Sequence, residues 1–266
     1  MKAAVLYIEG TNCEEEGVTA FRAVGIEAEK VHLKQLTGDC NSERKRSLEE
    51  YDILYIPGGW SAGDYVRAGA IFAARMKSRI GGDIRKFVDS GKFVVGVCNG
   101  FQILVEAGIL PGFDGISEHP QAVLTNNANS KFQCRPTYLK HENKCRITAG
   151  IPAGKVAQIP VAHAEGRLSF GDNNKEFLDK LVENKQIVFR YCMPDGKEAK
   201  GKFPWNPNGS LYDIAGIANP QGNVLGMMPH PERVIEPIQQ ADWTRKNYKR
   251  GEGLEFFESI KKQLEK

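Results

Sequence analysis

The first half of the chain alternates short apolar runs with segments of helical periodicity, and this alternation restricts the fold more than any other feature. The apolar runs that predict strands lie at 3–8, 29–33, 52–56 and 93–97. The segments that predict helices lie at 14–24, 83–89 and 101–106. Because strands that alternate with helices form parallel sheets with right-handed crossovers, we expect an α/β fold.

The second half of the chain is richer in strands and turns. Turn-rich segments separate four short apolar runs, at 156–159, 187–191, 214–217 and 224–228. No linker or low-complexity segment divides the two halves, so we expect the β-rich part to be an extension packed on the first half. A terminal amphipathic helix is predicted at 254–264, with Phe257, Ile260 and Leu264 on one face.

Composition and charge exclude few classes of function. The 266 residues carry a formal net charge of +3, a nearly balanced value that indicates no preference for nucleic acid. No apolar run of ~18 residues is present to span a membrane. The apolar strand begins directly after Met1-Lys2, which indicates no signal peptide. The six cysteines form no C-x-x-C pair or metal-ligand spacing, so we expect free thiols in a reducing cytoplasm.

The most informative motif is the Gly-x-Cys-x-Gly around Cys98, where the strand at 93–97 turns into the helix at 101–106. This pattern is typical of a nucleophile elbow, with cysteine in place of serine. The glycines let strand and helix pass close together, and the helix N-terminus favours a thiolate. The alternative is a buried cysteine at the end of a core strand, the commonest environment of a free cysteine.

A base for this cysteine has to come from the five histidines of the chain. His32, His119 and His141 lie in polar or proline-adjacent contexts, which predicts surface or turn positions. His163 and His230 remain, and each is followed two positions later by a glutamate.

Side chains two positions apart share a face in an extended segment, so Glu165 and Glu232 could each accept from the preceding imidazole. His230 is the stronger candidate because an apolar strand at 224–228 leads to it and the prolines on either side hold it extended. His163 precedes a flexible glycine, which predicts a loop over the site or a structural histidine. The alternative for either pair is an imidazole–carboxylate contact that serves only structure.

Two backbone N–H groups are candidates for an oxyanion hole. The N–H of Asn99 follows the cysteine directly, and Gly59 lies in a turn at the end of the strand at 52–56. Without a side chain, Gly59 can bring its backbone close to the cysteine. The alternative for the segment 57–61 is a plain tight turn.

Three motifs together resemble those of class I, or triad, glutamine amidotransferases. They are Gly-Val-Cys-Asn-Gly-Phe-Gln at 96–102, Pro-Gly-Gly-Trp-Ser-Ala-Gly-Asp at 57–64 and Pro-His-Pro-Glu-Arg at 229–233. More narrowly, six segments resemble the family of glutaminase subunits of phosphoribosylformylglycinamidine synthases. These segments lie at 10–13, 63–69, 132–135, 163–167, 189–192 and 206–210. The landmarks extend over nearly the whole chain.

The resemblance implies a flavodoxin-like α/β fold, with a mostly parallel sheet flanked by helices and one glutamine amidotransferase type 1 domain over residues 1–266. It implies a catalytic triad of Cys98, His230 and Glu232. The residues it places at the oxyanion or substrate are Gly59, Asn99 and Gln102. It implies no metal or cofactor in this chain, because ATP and magnesium belong to the synthase, and the chain has neither a P-loop nor a dinucleotide-binding motif.

The expected function is hydrolysis of glutamine and delivery of ammonia to a large synthase subunit, with a small accessory subunit in the same complex. Because the turn at Gly58-Gly59 could hide one oxyanion donor, we expect weak activity of the chain alone. Two alternatives stay open: a stand-alone cysteine hydrolase of γ-glutamyl compounds, and a non-enzymatic glutamine-sensing scaffold.

Overall fold

A nine-stranded sheet forms the centre of the computed structural model, which describes residues 1–266. Two further short strands pair with each other outside it. In chain order the strands are β1 (Lys2–Tyr7), β2 (Glu27–His32), β3 (Ile53–Ile56), β4 (Phe93–Val97), β5 (Val123–Thr125), β6 (Gln133–His141), β7 (Val156–His163), β8 (Arg167–Ser169), β9 (Ile187–Cys192), β10 (Ile214–Ala218) and β11 (Val224–Met227).

Six α-helices flank and connect these strands. They are α1 (Glu14–Ala23), α2 (Leu33–Thr37), α3 (Ala70–Asp89), α4 (Asn99–Glu106), α5 (Asn174–Glu183) and α6 (Leu254–Leu264). The terminal helix packs on the first one through Phe21 and Phe257, whose rings meet edge to face with centroids 5.1 Å apart. No helix combines the length and the apolar character needed to cross a membrane.

The central sheet is mixed, with the strand order β2-β1-β3-β4-β11-β10-β9-β6-β7. From β2 to β11 in that order the neighbours run parallel. The remaining strands join antiparallel. The expected α/β architecture is confirmed. The β-rich part of the chain adds β11 to the sheet in parallel with β4 and then extends the sheet with antiparallel neighbours.

The neighbours β3, β4 and β11 end at one edge of the sheet, and this edge positions the candidate site. Val97 at the end of β4 is in register with Met227 of β11, although the two lie far apart in the chain. On its other side, β4 pairs with β3, where Gly96 is in register with Ile56. Because parallel strands share the direction of their carboxyl ends, the segments that follow all three strands meet.

Two glycines allow α4 to pack directly on this part of the sheet. A Cβ atom at Gly100 would lie 1.8 Å from the carbonyl oxygen of Ile56. A Cβ atom at Gly96 would lie 2.5 Å from the carbonyl oxygen of Gly100. Neither position has room for a side chain, so both glycines of the Gly-x-Cys-x-Gly motif are required by the packing of the helix on the strands.

Sequence patterns missed some elements for identifiable reasons. The predicted helix at 83–89 is only the last part of α3, whose middle contains Gly81 and Gly82, poor helix formers. β6 contains Pro136 and was not predicted, since proline is unusual inside a strand. α5 was also missed, although Phe177, Leu178 and Leu181 lie at the spacing of one helix face.

Candidate active site

Cys98 occupies the sharp turn between β4 and α4. Its backbone has φ 52° and ψ −107°, a conformation that residues with a side chain rarely adopt. The strain is held by a hydrogen bond from the N–H of Cys98 to the carbonyl oxygen of Met227, at 2.8 Å. The Sγ atom donates to the carbonyl oxygen of Ala162 at 3.5 Å. The side chain is nearly closed off, with 5% of its residue surface exposed.

His230 and Glu232 form a buried hydrogen-bonded pair. Nδ1 of His230 lies 2.6 Å from Oε1 of Glu232, so Nδ1 carries the proton and donates to the carboxylate. Nε2 of His230 has no hydrogen-bond partner within the chain. Burial disfavours the imidazolium, but the charges of Glu232 and then of Cys98 outweigh it and hold the pKa of His230 well above its usual range.

Gly58 is the residue around which the cysteine and the histidine meet. A Cβ atom on Gly58 would lie 2.6 Å from Cε1 of His230, 3.3 Å from Cβ of Cys98 and 3.2 Å from Sγ of Cys13. These three residues therefore surround the space that a side chain on residue 58 would fill. The structure brings together the cysteine and the histidine that the sequence singled out.

The two predicted oxyanion donors have free N–H groups. Neither Gly59 nor Asn99 donates its backbone N–H within the chain, which is the state that an oxyanion hole requires. Gly59 has φ 150°, and a Cβ atom there would lie 2.8 Å from the backbone nitrogen of Asn12. The carbonyl of Gly58 accepts from the N–H groups of Asn12 and Cys13 at 3.3 and 3.2 Å. These bonds hold the peptide between the two glycines in one orientation.

The side chains of Asn99 and Gln102 lie in a buried polar network. Oδ1 of Asn99 accepts from Oγ of Ser61 at 2.6 Å, and its Nδ2 donates to Oε1 of Gln102 at 3.0 Å and to Asp64 at 3.3 Å. Nε2 of Gln102 donates to the backbone carbonyl of Glu165 at 2.6 Å. Burial raises the pKa of Asp64 above its usual range. The network fastens the loop after β3, the start of α4 and the turn after β7 to one another.

His163 and Glu165, the second histidine–glutamate motif, do not pair. Nδ1 of His163 lies 3.2 Å from Oδ1 of Asn127, and the carboxylate of Glu165 accepts from the N–H of Ala68 at 3.1 Å. Burial, and then repulsion by the charge of His230, lower the pKa of His163 to about 3. His163 is therefore a buried neutral imidazole at the end of β7.

The prediction of a surface or turn position was wrong for His141. This residue lies at the end of β6 and is buried, with Nε2 3.0 Å from Oγ1 of Thr148 and Nδ1 3.1 Å from the carbonyl oxygen of Pro152. Its polar neighbours in the sequence belong to the turn after β6, which leads to Thr148 and Pro152, the partners of its ring. His119 is exposed as predicted, and His32 is half-buried at the end of β2.

Cys13 and Arg233 lie beside the pair and were not predicted as part of the site. Nη2 of Arg233 donates to Sγ of Cys13 at 2.9 Å. Cys13, His230 and Glu232 each offer one metal-ligand atom, all within 4.8 Å of one another. Nδ1 of His230 and Oε1 of Glu232 engage each other and the sulfur of Cys13 accepts from Arg233, whereas Nε2 of His230 and Oε2 of Glu232 have no partner within the chain. Both new residues belong to motifs that carried the family resemblance, and this was the only available signal for them.

The comparison with known families agrees with this fold and site. A model of the CobB/CobQ-like glutamine amidotransferase domain matches residues 1–263 of the chain. The chain belongs to this family of glutamine amidotransferases.

Within that family, the similar curated proteins carry a more specific name, phosphoribosylformylglycinamidine synthase subunit PurQ. The protein from Archaeoglobus fulgidus is 49% identical over 272 residues, which cover 100% of this chain and 98% of the relative. The protein from Picrophilus torridus is 46% identical over 256 residues, 96% of each. The resemblance inferred from the motifs is thereby confirmed.

A solved structure extends the likeness to three dimensions. The structure of PurLQS from Thermotoga maritima contains a chain that matches this one with a TM-score of 0.73 and 31% sequence identity. The match covers 99% of this chain and 98% of that chain. The likeness therefore includes the antiparallel half of the sheet as well as the parallel half.

Proposed function

We propose that the chain is the glutaminase subunit of a phosphoribosylformylglycinamidine synthase in de novo purine biosynthesis. It hydrolyses glutamine to glutamate and ammonia, and the synthase uses the ammonia and ATP to convert formylglycinamide ribonucleotide to formylglycinamidine ribonucleotide. The identity of 49% and 46% to two PurQ relatives, over nearly the whole length of each chain, supports the assignment to purine biosynthesis. The observation that best supports this chemistry is that Cys98 and the buried His230–Glu232 pair lie close together, on either side of the Cβ position of Gly58.

The first half of the reaction uses the cysteine as the nucleophile. The thiolate of Cys98 attacks the side-chain amide carbon of glutamine, and the N–H groups of Gly59 and Asn99 stabilise the negative oxygen that forms. The imidazolium of His230 then gives its Nε2 proton to the leaving ammonia. Glu232 keeps Nδ1 protonated and the ring oriented throughout, so that Nε2 is the atom that exchanges protons.

The second half hydrolyses the γ-glutamyl thioester on Cys98. Neutral His230 takes a proton from water through Nε2, the hydroxide attacks the thioester carbonyl, and the same two N–H groups stabilise the second oxyanion. Collapse of this intermediate releases glutamate and restores the Cys98–His230 pair. No step requires a metal or a cofactor in this chain, and ATP and magnesium act in the synthase.

We further propose that a large synthase subunit, with a small accessory subunit, opens the site. Cys98 and His230 are only 5% and 1% exposed, so we expect the loops around them to move when glutamine binds. Near this site, Trp60 and Phe132 stack with ring centroids 6.2 Å apart and join the loop after β3 to the start of β6. A partner that binds the open state more tightly shifts the population toward it.

The test measures glutamate release by the chain alone and with the synthase, ATP and formylglycinamide ribonucleotide. We expect a large rise in kcat with the partner and loss of both activities in Cys98→Ser. Rapid hydrolysis of γ-glutamyl peptides without a partner would favour a stand-alone hydrolase. Failure to form a thioester with a glutamine-analogue electrophile, in the presence of the synthase, would favour a sensing scaffold.

A further inference from the structure

Cys98 is not the only thiol in the site. The position that a Cβ atom of Gly58 would occupy lies 3.3 Å from Cβ of Cys98 and 3.2 Å from Sγ of Cys13. Cβ of Cys98 and Sγ of Cys13 are therefore at most about 6.5 Å apart, which is the sum of these two distances. In a disulfide each Cβ atom lies about 3 Å from the sulfur of the other cysteine, so closure requires a shift of at most about 3.5 Å.

The space needed for that shift is available because residue 58 is glycine. The atom nearest to the position of the missing Cβ is Cε1 of His230, at 2.6 Å, and a side chain on residue 58 would occupy the space between the two cysteines. Rotation about the Cα–Cβ bond of Cys98, which releases its sulfur from the carbonyl oxygen of Ala162, is the movement that closure toward Cys13 requires. Only a weak thiol hydrogen bond is lost in the rotation.

The surroundings of Cys13 differ from those of the other buried cysteines. The guanidinium of Arg233 donates to its sulfur at 2.9 Å, and a cation beside the sulfur is typical of reactive cysteines. By contrast, burial raises the pKa of the Cys145 thiol and raises that of Cys192 to about 11. Those two thiols are poor nucleophiles at neutral pH.

We propose that Cys13 is a resolving thiol that traps an oxidised Cys98 as a reversible Cys13–Cys98 disulfide. Hydrogen peroxide oxidises the Cys98 thiol by two electrons to a sulfenic acid, and one molecule of water leaves as the O–O bond breaks. The sulfur of Cys13 then attacks the sulfur of Cys98. The S–S bond forms, the S–O bond breaks, and the hydroxide leaves with the proton of Cys13 as a second water.

The disulfide with Cys13 therefore determines whether the oxidation of Cys98 is reversible or irreversible. The disulfide blocks Cys98 and a dithiol restores it, whereas an untrapped sulfenic acid oxidises further to sulfinic acid. The inference rests on the reactivity that the proposed function gives to Cys98. Its readout is a covalent cross-link, so it can fail while the glutaminase assignment stands.

The experiment treats the full-length chain with a small molar excess of hydrogen peroxide, blocks free thiols with N-ethylmaleimide, and maps peptides by mass spectrometry without reductant. All six cysteines are free in this structure, and we expect a single cross-link between the peptides of Cys13 and Cys98. The control is Cys134→Ser, which removes the exposed thiol most able to form incidental cross-links. This variant should give the same cross-link as the wild type.

A second measurement follows recovery after peroxide. Wild-type glutaminase should regain most of its activity with dithiothreitol, and Cys13→Ser should regain at least tenfold less because Cys98 has reached the sulfinic state. Oxidation of Cys98 without a cross-link to Cys13, or equal recovery in Cys13→Ser, would overturn the proposal. If Cys13→Ser does not fold, the peptide map of the wild type decides alone.

Discussion

The backbone N–H of Cys98 donates to the carbonyl oxygen of Met227 at 2.8 Å, and this bond joins the strand that carries the cysteine to the strand that leads to His230. The N–H of His230 in turn donates to the carbonyl oxygen of Pro160 at 2.8 Å. Three strands, β4, β11 and β7, thus fix the backbone of the site. The precision that catalysis needs comes from sheet hydrogen bonds more than from loop conformation.

Replacement of the proposed nucleophile should separate activity from stability. Cys98→Ser should lower glutaminase turnover by about 10⁶-fold, because a serine hydroxyl is far less ionised beside the same base. The melting temperature should change little, since a hydroxyl can donate to Ala162 as the thiol does. The measurement is glutamate release in the presence of the synthase, with Cys134→Ser as the matched control. Activity within tenfold of the wild type would remove Cys98 from the mechanism.

The two histidine–glutamate motifs allow a paired test of the base. Glu232→Gln should lower kcat by about 10⁴-fold, because the amide can no longer hold the protonated Nδ1 of His230 as a carboxylate does. Glu165→Gln should have a much smaller effect, since the carboxylate of Glu165 accepts its hydrogen bond from the N–H of Ala68 and not from an imidazole. Steady-state kinetics of the two variants with the synthase provide the ranking. The opposite ranking would show that His163 is the base.

A single methyl group at Gly58 should disable the site without unfolding the chain. Gly58→Ala places Cβ 2.6 Å from Cε1 of His230, and a displacement of the ring by about 1 Å costs roughly 100-fold in kcat. The matched control is Gly82→Ala in α3, where a Cβ atom meets nothing within 4 Å. That change should keep activity and stabilise the helix by up to about 1 kcal/mol. Circular dichroism and kcat are the measurements, and full activity of Gly58→Ala would contradict the geometry.

The buried neutral His163 should make stability depend on pH in the acid range. Its pKa is lowered from 6.5 to about 3, so between these values the unfolded chain binds a proton that the folded chain does not. Stability therefore falls as the pH decreases from 6.5 toward 3, with a slope of up to about 1.4 kcal/mol per pH unit from this residue.

His163→Asn supplies the comparison, since its amide can still donate to Asn127 but does not titrate. The free energy of unfolding in urea should be measured for the wild type and the variant between pH 7 and pH 4. As the pH falls across this range, the wild type should lose more stability than the variant. Parallel curves across this range would mean that His163 is protonated in the folded chain.

Local sequence patterns were sufficient to predict the parallel half of the sheet and the position of Cys98. The strand at 53–56 is an apolar run that Pro57-Gly58-Gly59 ends, the strand at 93–97 is an apolar run that follows Gly91, and such runs have few alternatives. The pairing of Glu232 with His230 was also predicted, although the expected extended segment was wrong: Pro231–Arg233 forms a 3₁₀ turn, and this turn brings the carboxylate to Nδ1 of His230. These are the parts of the molecule that local rules determine.

The contacts that sequence reasoning missed all join residues that are distant in the chain. Nothing local to Cys13 indicates that Arg233 will contact its sulfur, and nothing local to His163 indicates that Asn127 will replace Glu165 as its partner. The burial of His141 has the same cause, since the strand β9 beside it is far along the chain. Such contacts depend on the strand order of the whole sheet, which no single segment determines.

The order of strands in the sheet also has a consequence for synthesis on the ribosome. β4 lies between β3 and β11, so a nascent chain that ends before residue 224 leaves one side of β4 without its neighbour. Such a chain has the Cys98 thiol but lacks the Met227 carbonyl that accepts the N–H of Cys98, and it lacks His230, the proposed base. In the proposed mechanism an unfinished polypeptide therefore cannot hydrolyse glutamine. Cys98 and His230 come together only after β11 and His230 have been synthesised and β11 has paired with β4.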